Sequence, residues 1–159
     1  ALDRPLVLDA DGINALEGHI DTLSRRRGRV TVLTPHEGEL ARIGGDMAAS
    51  RETGAAAFAA AHGVYLVRKG RRTVVAAPDG RLAVNTTGND GMAKGGSGDV
   101  LTGLLTGLLA QGMEPFAACC AAVWLHGRAG DLAAEEKGHR GMTPADMIEM
   151  LPYALKEVE

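Results

Sequence analysis

The stretch NDGMAKGGSGDVLTGLLTGLL at residues 89–109 begins as a glycine-rich loop and ends as an apolar run typical of a helix. Four small residues, Gly-Gly-Ser-Gly at 95–98, stand directly before Asp99 at the junction. Successive glycines can turn several backbone N–H groups toward one point, and a helix N-terminus adds unpaired donors and the positive end of a dipole. The loop lacks the Gly-Lys-Ser/Thr of a P-loop and the spacing of the Rossmann fingerprint. It therefore predicts a phosphate site of another kind.

Asp99 is the unusual member of this motif, because a carboxylate beside a phosphate site repels the phosphate. A hydroxyl placed between the two groups removes the conflict. Asp99 would then accept the hydroxyl proton while the loop holds the phosphoryl group that the hydroxyl attacks. The alternative is a first-turn acid that only stabilises the helix through its dipole. The local chemistry supports both interpretations equally.

Three predicted strands bring further polar residues toward this loop. The apolar runs at 4–11, 29–36 and 64–70 are typical of buried parallel strands. Ligands of open α/β sheets bind at the carboxyl ends of the strands. We therefore expect one cleft to be bordered by the three strand ends, Asp9-Ala10-Asp11, Thr34-Pro35-His36 and Lys69-Gly70, with Asn14 close by.

Helical patterns alternate with these strands. They are predicted at 11–20, 37–45, 50–63, 99–111, 115–137 and 143–159, and a β-hairpin is predicted at 73–87. This order indicates an α/β layered fold with a mostly parallel sheet flanked by helices. Residues 1–159 are expected to form a single domain or part of one. Because the chain opens on a strand that leads into a site, further sequence upstream of Ala1 is expected.

Composition excludes several classes of function. The net charge of −3, without a basic stripe interleaved with aromatics, argues against nucleic-acid binding. The one dense basic run, at 25–27, is interpreted as a solvated loop, with a phosphate-facing role as the alternative. No stretch is long enough to span a membrane. Adjacent Cys119 and Cys120 are expected to be small buried hydrophobes in a reducing cytoplasm rather than a disulfide or a zinc site.

Five segments together resemble a known family. They are LDADGINAL, TPHEGELARI, VRKGRRT, GNDGMAKGGSGDVLTGLL and WLHGRAGD, in this order along the chain. The combination is similar to that of the ADP/ATP-dependent NAD(P)H-hydrate dehydratases of the ribokinase-like superfamily. The resemblance runs from about residue 5 to about residue 151. It implies a ribokinase-like domain of which this chain is the C-terminal portion.

The resemblance also implies a reaction. The damaged cofactor NADHX or NADPHX carries a hydroxyl on its hydrated nicotinamide ring. ADP or ATP, with Mg²⁺, phosphorylates this hydroxyl, and elimination of phosphate restores NADH or NADPH. An adenine nucleotide and the hydrate are thus the implied partners, together with assembly into a homo-oligomer.

The family's functional residues can be carried over position by position. Asp99 resembles the catalytic base in contact with the hydrate, and His36 resembles a second hydrate-binding residue. The implied anion hole consists of Gly95, Gly96, Ser97 and Gly98. The implied nucleotide contacts are Gly98, Asn89 and the segment Lys69, Gly70, Arg71, Arg72 and Thr73.

Several of these residues have a plainer interpretation. His36 on its own is typical of a capping or loop residue, and Lys69 of a strand-end surface lysine. Glu39 is either a ligand of Mg²⁺ or its waters, or a helix-surface acid. Asn89 either shapes its loop or contacts phosphate, since Asn tolerates left-handed backbone. His126 is interpreted as a core residue of an apolar helix.

Two residues depart from the family pattern. Lys94 stands where a small polar residue is expected, and Asp90 stands where a proline is expected. Lys94 either adds charge near the phosphates or faces solvent. Two other functions remain open on the sequence: a sugar or vitamin-precursor kinase of the same fold, and a nucleotide-binding chain without catalysis.

Overall fold

Strands and helices alternate along residues 3–159, the part of the chain that the structure, a computed structural model, describes. The strands are β1 Leu6–Leu8, β2 Thr31–Leu33, β3 Tyr65–Arg68, β4 Val74–Ala76 and β5 Leu82–Val84. The α-helices are α1 Asp11–Asn14, α2 Glu37–Arg42, α3 Arg51–His62, α4 Ser97–Ala110, α5 Pro115–Gly141 and α6 Pro144–Lys156. Short 3₁₀ helices occupy Ile20–Arg26 and Asp90–Met92.

The described strands form one mixed sheet in the order β1-β2-β3-β4-β5. β1, β2 and β3 run parallel, whereas β4 and β5 pair antiparallel and form the predicted hairpin. Each connection between two parallel strands contains at least one helix, as parallel strands require a crossover. α1 lies between β1 and β2, and α2 and α3 lie between β2 and β3. The carboxyl ends of β1, β2 and β3 therefore lie at one edge, as the sequence predicts.

Both faces of this sheet are buried, which explains why its strands are apolar at successive positions rather than at alternate ones. Leu33 and Leu66 point into one core with α2 and α3. Their neighbours Val32 and Val67 point into a second core with α4 and α5. Side chains at successive strand positions face opposite sides, so each strand feeds both layers. The helices on the second face carry the glycine-rich motif.

Two predicted elements differ from the structure. The 25–27 basic run forms the end and the C-cap of the 3₁₀ helix Ile20–Arg26, and Arg26 donates to Thr31 Oγ1 at the amino end of β2 (2.9 Å). This run lies at the opposite end of the sheet from the predicted cleft, where Arg26 and Arg27 donate to the carbonyls of Arg4 and Ala61 instead of facing phosphate. The helix predicted at 115–137 continues to Gly141, with a break where Gly138 adopts φ 70° and ψ 156°.

The cysteines agree with the prediction. Cys119 is buried in α5 and Cys120 is half-buried, and both thiols are free. Burial raises the pKa of Cys119 to about 12, so the thiol stays protonated and packs as a small apolar group. In the described part of the chain, no helix has the length and hydropathy needed to cross a membrane.

Candidate active site

The centre of the candidate site is an ion pair between two strand ends. Lys69, directly after β3, places its Nζ 2.7 Å from Asp9 Oδ1, directly after β1. Thr102 of α4 donates its hydroxyl to Asp9 Oδ2 at 2.9 Å. Only 20% of the Lys69 side chain and 11% of the Asp9 side chain are exposed. Lys69 is therefore not a surface lysine, because the pair ties two strands and a helix together.

The surroundings of Asp9 favour its charged form. Burial alone raises the pKa of this carboxyl, but the hydrogen bonds from Lys69 and Thr102 outweigh burial and hold the pKa below its usual value. The neighbouring Ala10 adopts φ 46° and ψ −116°, a backbone conformation that costs a residue other than glycine about 1–3 kcal/mol. Strain of this kind is tolerated where the surrounding contacts fix the chain.

We expect Lys69→Met to lower the free energy of unfolding by about 2 kcal/mol at pH 7, because it leaves the shielded Asp9 carboxylate without its cation. The folded pKa of Asp9 is depressed, so its contribution to stability is present above its unfolded pKa and is lost as the pH falls through the folded value. The difference between the two proteins should therefore shrink below about pH 4. Urea unfolding at pH 3, 5 and 7 measures it.

A matched control for this change is Lys156→Met, at an exposed lysine of α6. Its effect should stay within about 0.5 kcal/mol at every pH, as is usual for surface substitutions. A loss for Lys69→Met that is the same at pH 3 and pH 7 would contradict the role given to Asp9.

Glu39 and His36 extend this polar cluster along the start of α2. Glu39 Oε2 lies 3.8 Å from Lys69 Nζ and accepts the His36 amide at 2.8 Å. His36 Nδ1 accepts the amides of Gly38 and Glu39 at 3.0 and 3.2 Å, so the imidazole caps α2. Because Nδ1 accepts, the ring proton lies on Nε2, and 59% of the side chain stays exposed. Glu39 is buried, not a helix-surface acid.

The N-terminus of α4 lies directly above the Lys69–Asp9 pair. A Cβ atom added to Gly98 would lie 3.5 Å from Lys69 Nζ and 3.6 Å from Asp9 Oδ2. Gly96 caps the helix with φ 92° and ψ −20°, a left-handed conformation that favours glycine. Gly96 thus turns the chain into α4, and Gly98 places the first turn of the helix in contact distance of the ion pair.

Several backbone donors at this N-terminus have no protein partner. Within residues 3–159, the amides of Gly95, Gly96, Gly98 and Asp99 donate to no protein acceptor, whereas the amide of Ser97 donates to the Lys94 carbonyl at 3.2 Å. The first amides of a helix need partners from outside it. The free set therefore differs from the predicted anion hole, because Asp99 takes the place of Ser97.

Ser97 instead faces inward. Its side chain is buried, and its hydroxyl lies 3.3 Å from His126 Nε2. His126 Nε2 lies 2.8 Å from the Ser97 carbonyl oxygen, which can only accept, so Nε2 carries the proton. Burial lowers the pKa of His126, which keeps the ring neutral. His126 is a core residue, as predicted, and it also holds the first turn of α4 in place.

Asp99 differs from the acids at the same position of two other helices. Asp99, Glu39 and Asp146 are each the third residue of their helix. Glu39 and Asp146 reach back to accept the N-cap amides of His36 and Thr143, at 2.8 and 2.6 Å. Asp99 makes no such bond and is exposed. Its carboxylate is not used to cap the helix, which favours the interpretation as a base over that of a first-turn acid.

An apolar groove lies beside Asp99, between α4 and α6. Its volume is about 440 Å³ and its walls include Val100, Leu104, Pro144 and Ile148. The groove is open to solvent, since 54% of Ile148 is exposed. The Asp99 carboxylate thus stands between a cluster of free backbone donors and an apolar surface.

Arg51 fixes the backbone of the predicted nucleotide segment, residues 69–73. Its guanidinium donates to the carbonyls of Arg68 and Lys69 at 3.1 and 3.2 Å and pairs with Glu37. A Cβ added to Gly70 would lie 3.1 Å from Arg51 Nη2. The side chains of Arg71 and Arg72 are exposed, and Thr73 Oγ1 donates to the Gly70 carbonyl at 3.0 Å. This segment presents a fixed turn with two exposed cations.

Other predicted residues lie elsewhere. The side chain of Asn14 contacts Asp11 and Arg42, on the α1–α2 side. Lys94 neither approaches the phosphate donors nor simply faces solvent. Its Nζ donates to the carbonyls of His139, Arg140 and Met142, where a cation also complements the negative end of the α5 dipole. Lys94 therefore anchors the glycine loop to the end of α5.

Two functional contacts were missed from sequence. Thr102 reaches Asp9 because it lies one turn after Gly98 on the same face of α4. Asp131 of α5 accepts the Gly88 amide and the Asn89 side chain, both at 2.9 Å. In WLHGRAGD, the small and polar residues at 126, 127, 130 and 131 are spaced so that they share one face of a helix. This spacing is the signal that the face packs on another segment.

The described residues do not build a site for a resident metal ion. No group of three or more Asp, Glu, His and Cys side chains among them is arranged to hold one. One Glu39 oxygen accepts an amide and the other lies 3.4 Å from His36 Nε2. Magnesium is commonly bound through nucleotide phosphates with one or two carboxylates. The predicted Mg²⁺ ion would thus have to enter with the nucleotide.

Comparison with known proteins gives a consistent result. The family model described as NAD(P)H-hydrate dehydratase matches residues 1–153. A bifunctional NAD(P)H-hydrate repair enzyme Nnr of Moorella thermoacetica is 46% identical over 159 residues, which cover 98% of this chain and 30% of that protein. An ADP-dependent (S)-NAD(P)H-hydrate dehydratase of Neisseria meningitidis is 44% identical over 141 residues, covering 86% of this chain and 48% of the relative. The chain thus spans less than half the length of either relative.

Solved structures agree with the sequence comparison. An ADP/ATP-dependent NAD(P)H-hydrate dehydratase from Bacillus subtilis, co-crystallized with ATP/Mg²⁺ and soaked with CoA, matches with a TM-score of 0.84 at 32% identity. The match covers 100% of this chain and 58% of that one. A ribokinase-like superfamily protein from Enterococcus faecalis matches with a TM-score of 0.80 at 28% identity. The predicted ribokinase-like fold is confirmed.

Proposed function

The chain belongs to the NAD(P)H-hydrate dehydratase family, and we propose that it dehydrates NADHX or NADPHX with ADP or ATP as co-substrate. In this reaction the hydroxyl of the hydrate attacks the terminal phosphoryl group of the nucleotide and loses its proton to Asp99. The shortened nucleotide leaves. The C–O bond of the phosphorylated hydrate then breaks, the neighbouring carbon loses a proton, and phosphate departs as the ring double bond forms again.

One observation carries this proposal: Asp99 leaves its helix uncapped, directly beside four unpartnered amides. Preorganised backbone donors stabilise the charge of a transferring phosphoryl group without reorganisation during the reaction. A carboxylate within one residue of these donors can reach the hydroxyl that attacks the group they hold. Free amides occur at any helix N-terminus that lacks a side-chain cap. What distinguishes α4 is the combination of these amides with an acid that does not cap and with the Lys69–Asp9 pair next to them.

The other predicted residues have proposed roles that fit this geometry. Gly98 brings the nucleotide phosphates over the Lys69–Asp9 pair, and the exposed Arg71 and Arg72 add positive charge beside them. His36, with 59% of its side chain exposed at the start of α2, contacts the hydrate through the outer face of its ring, while its Nε2 stays next to Glu39. Asn89 acts on the loop rather than on the nucleotide itself.

The direct test incubates the purified protein with NADHX and either ADP or ATP and follows the NADH absorbance. Recovery of NADH together with release of inorganic phosphate supports the proposal. A stable phosphorylated product without phosphate release would instead show a small-molecule kinase. Tight binding of ADP without either product would show a nucleotide-binding chain without catalysis.

We also propose assembly into a homo-oligomer in the cytoplasm. Exposed apolar side chains on and after α6, which include Tyr153, Leu155 and Val158, support an assembly surface. The two free cysteines support a reducing compartment. Light scattering during size exclusion measures the mass, and a monomer at micromolar concentration would contradict the first statement.

A further inference from the structure

The loop before α4 is fixed by a short chain of hydrogen bonds that begins on α5. Asp131 Oδ2 accepts the amide of Gly88 at 2.9 Å, and its Oδ1 accepts Asn89 Nδ2 at 2.9 Å. Asn89 Oδ1 in turn accepts the amide of Gly91 at 3.0 Å. A single carboxylate thus sets the backbone at residue 88 directly, and the backbone at residue 91 through Asn89.

We propose that Asp131 is a positioning residue for the phosphate-binding amides, and that Asn89 serves the nucleotide through Asp131 instead of by contact. This inference rests on the proposed function. The carboxamide of Asn89 already uses one donor and one acceptor inside the protein. Its orientation is set by these partners, because its oxygen faces a backbone donor and its nitrogen faces a carboxylate.

The surface of α5 is shaped to receive this loop. Gly127 faces Thr87 so closely that a Cβ on Gly127 would lie 2.8 Å from the Thr87 carbonyl carbon. Gly130, one turn later, contacts Met92, the last residue of the 3₁₀ helix. Glycines at these two positions of α5 let Thr87, directly before the loop, and the side chain of Met92 pack against the helix itself. Asp131 follows Gly130 directly and supplies the polar contact at the same place.

Three anchors therefore hold the phosphate loop, and all of them are on α5 or at its end. Asp131 fixes residues 88–91, Lys94 donates to carbonyls at the end of α5, and His126 holds Ser97. The free amides begin at Gly95 and end at Asp99. The direction in which they point is consequently set by a helix that supplies none of the predicted contacts to substrate.

The chemistry of Asp131 and Asn89 permits an exchange test. Asp131→Asn turns one carboxylate oxygen into an NH₂ group, so donors face each other across the contact. Asn89→Asp places two carboxylates about 3 Å apart, and like charges at this distance repel. In the double variant N89D/D131N, the carboxylate at position 89 accepts the Gly91 amide and the NH₂ group at position 131, while the carboxamide oxygen at position 131 accepts the Gly88 amide. The original hydrogen-bond pattern is restored, with the negative charge now at position 89 instead of position 131.

The experiment compares the unchanged protein, both single variants and the double variant. Hydrogen exchange is followed in the free protein at the hydrogen-bonded amides of residues 88–97, among them those of Gly88 and Gly91, and ADP binding is measured by calorimetry. Each single variant should exchange at least about 10-fold faster in this segment and bind ADP about 10-fold more weakly, as expected for a contact with an unsatisfied partner. The double variant should lie within about 3-fold of the unchanged protein in both. Asp21→Asn, at an exposed aspartate, is the matched control and should change neither.

The outcomes separate this inference from the proposed function. Single variants that behave like the unchanged protein overturn the positioning role, and so does a double variant as impaired as the worse single one. If a single variant fails to fold, a folded double variant with normal exchange supports the role, and an unfolded one overturns it. If ADP does not bind the unchanged protein, the proposed function fails, while hydrogen exchange still decides the role of Asp131.

Discussion

Replacing Asp99 with asparagine should reduce turnover of the hydrate by about 100- to 10,000-fold, the range in which positioned general bases contribute to catalysis. The affinity for ADP should be equal to or higher than that of the unchanged protein. The reason is electrostatic: the carboxamide leaves the amides of Gly95, Gly96 and Gly98 in place and removes a negative charge next to the phosphates they bind.

Two measurements check this expectation: kcat with NADHX, and the dissociation constant of ADP by calorimetry. Glu52→Gln, at an exposed acid in the first turn of α3, is the matched control. If Asp99 only complemented the helix dipole, both variants would lose a few tenths of a kcal/mol of stability and keep their activity. Unchanged kcat for Asp99→Asn would refute its assignment as the base.

Gly127→Ala should have the largest effect on stability. A Cβ at this position would meet the Thr87 hydroxyl, would lie 2.8 Å from the Thr87 carbonyl carbon, and would lie 2.9 Å from its Cβ. Thr87 cannot retreat easily, because its hydroxyl donates to the Trp124 carbonyl at 2.9 Å. We expect a loss of about 3 kcal/mol, the upper range for overpacked cores, and a fall in Tm of about 6–12 °C.

Gly107→Ala is the matched control for this change. Gly107 lies within α4, is exposed, and a Cβ there would meet nothing within 4 Å. The same substitution should therefore raise stability by up to about 1 kcal/mol through helix propensity. Differential scanning calorimetry gives both values. A Gly127→Ala protein that melts at or above the unchanged protein would contradict the close packing of residues 85–92 on α5.

Most of the fold could be predicted from local pattern. The strands at 4–11, 29–36 and 64–70 were placed correctly because apolar runs bounded by turns are typical of sheets buried on both faces. The end of α3 followed from Gly63, which adopts the left-handed C-cap conformation. The sequence could not predict that α5 continues beyond residue 137. The glycine at 138 is typical of a helix end, and the contacts of Lys94 with the last carbonyls come from a distant segment.

The candidate site could be predicted only in part. The glycine run, its position before a helix and the acid at its end are local features, and they led to Asp99 and the donor loop. The sequence did not predict that Ser97 turns inward, because His126 lies 29 positions away. Nor did it predict the ion pair of Lys69 with Asp9, because the two residues lie 60 positions apart.

By itself, the sequence determined which residues could take part: strand ends rich in polar groups, a loop of small residues, and an acid near the start of the helix that follows. Only the tertiary structure decided which of them meet. Contacts within a helical turn are fixed by spacing, whereas those between Asp9 and Thr102, 93 positions apart, or Asn89 and Asp131, 42 apart, depend on strand order and helix packing. The direction of the donor loop is therefore a property of α5, and that of the ion pair a property of the sheet.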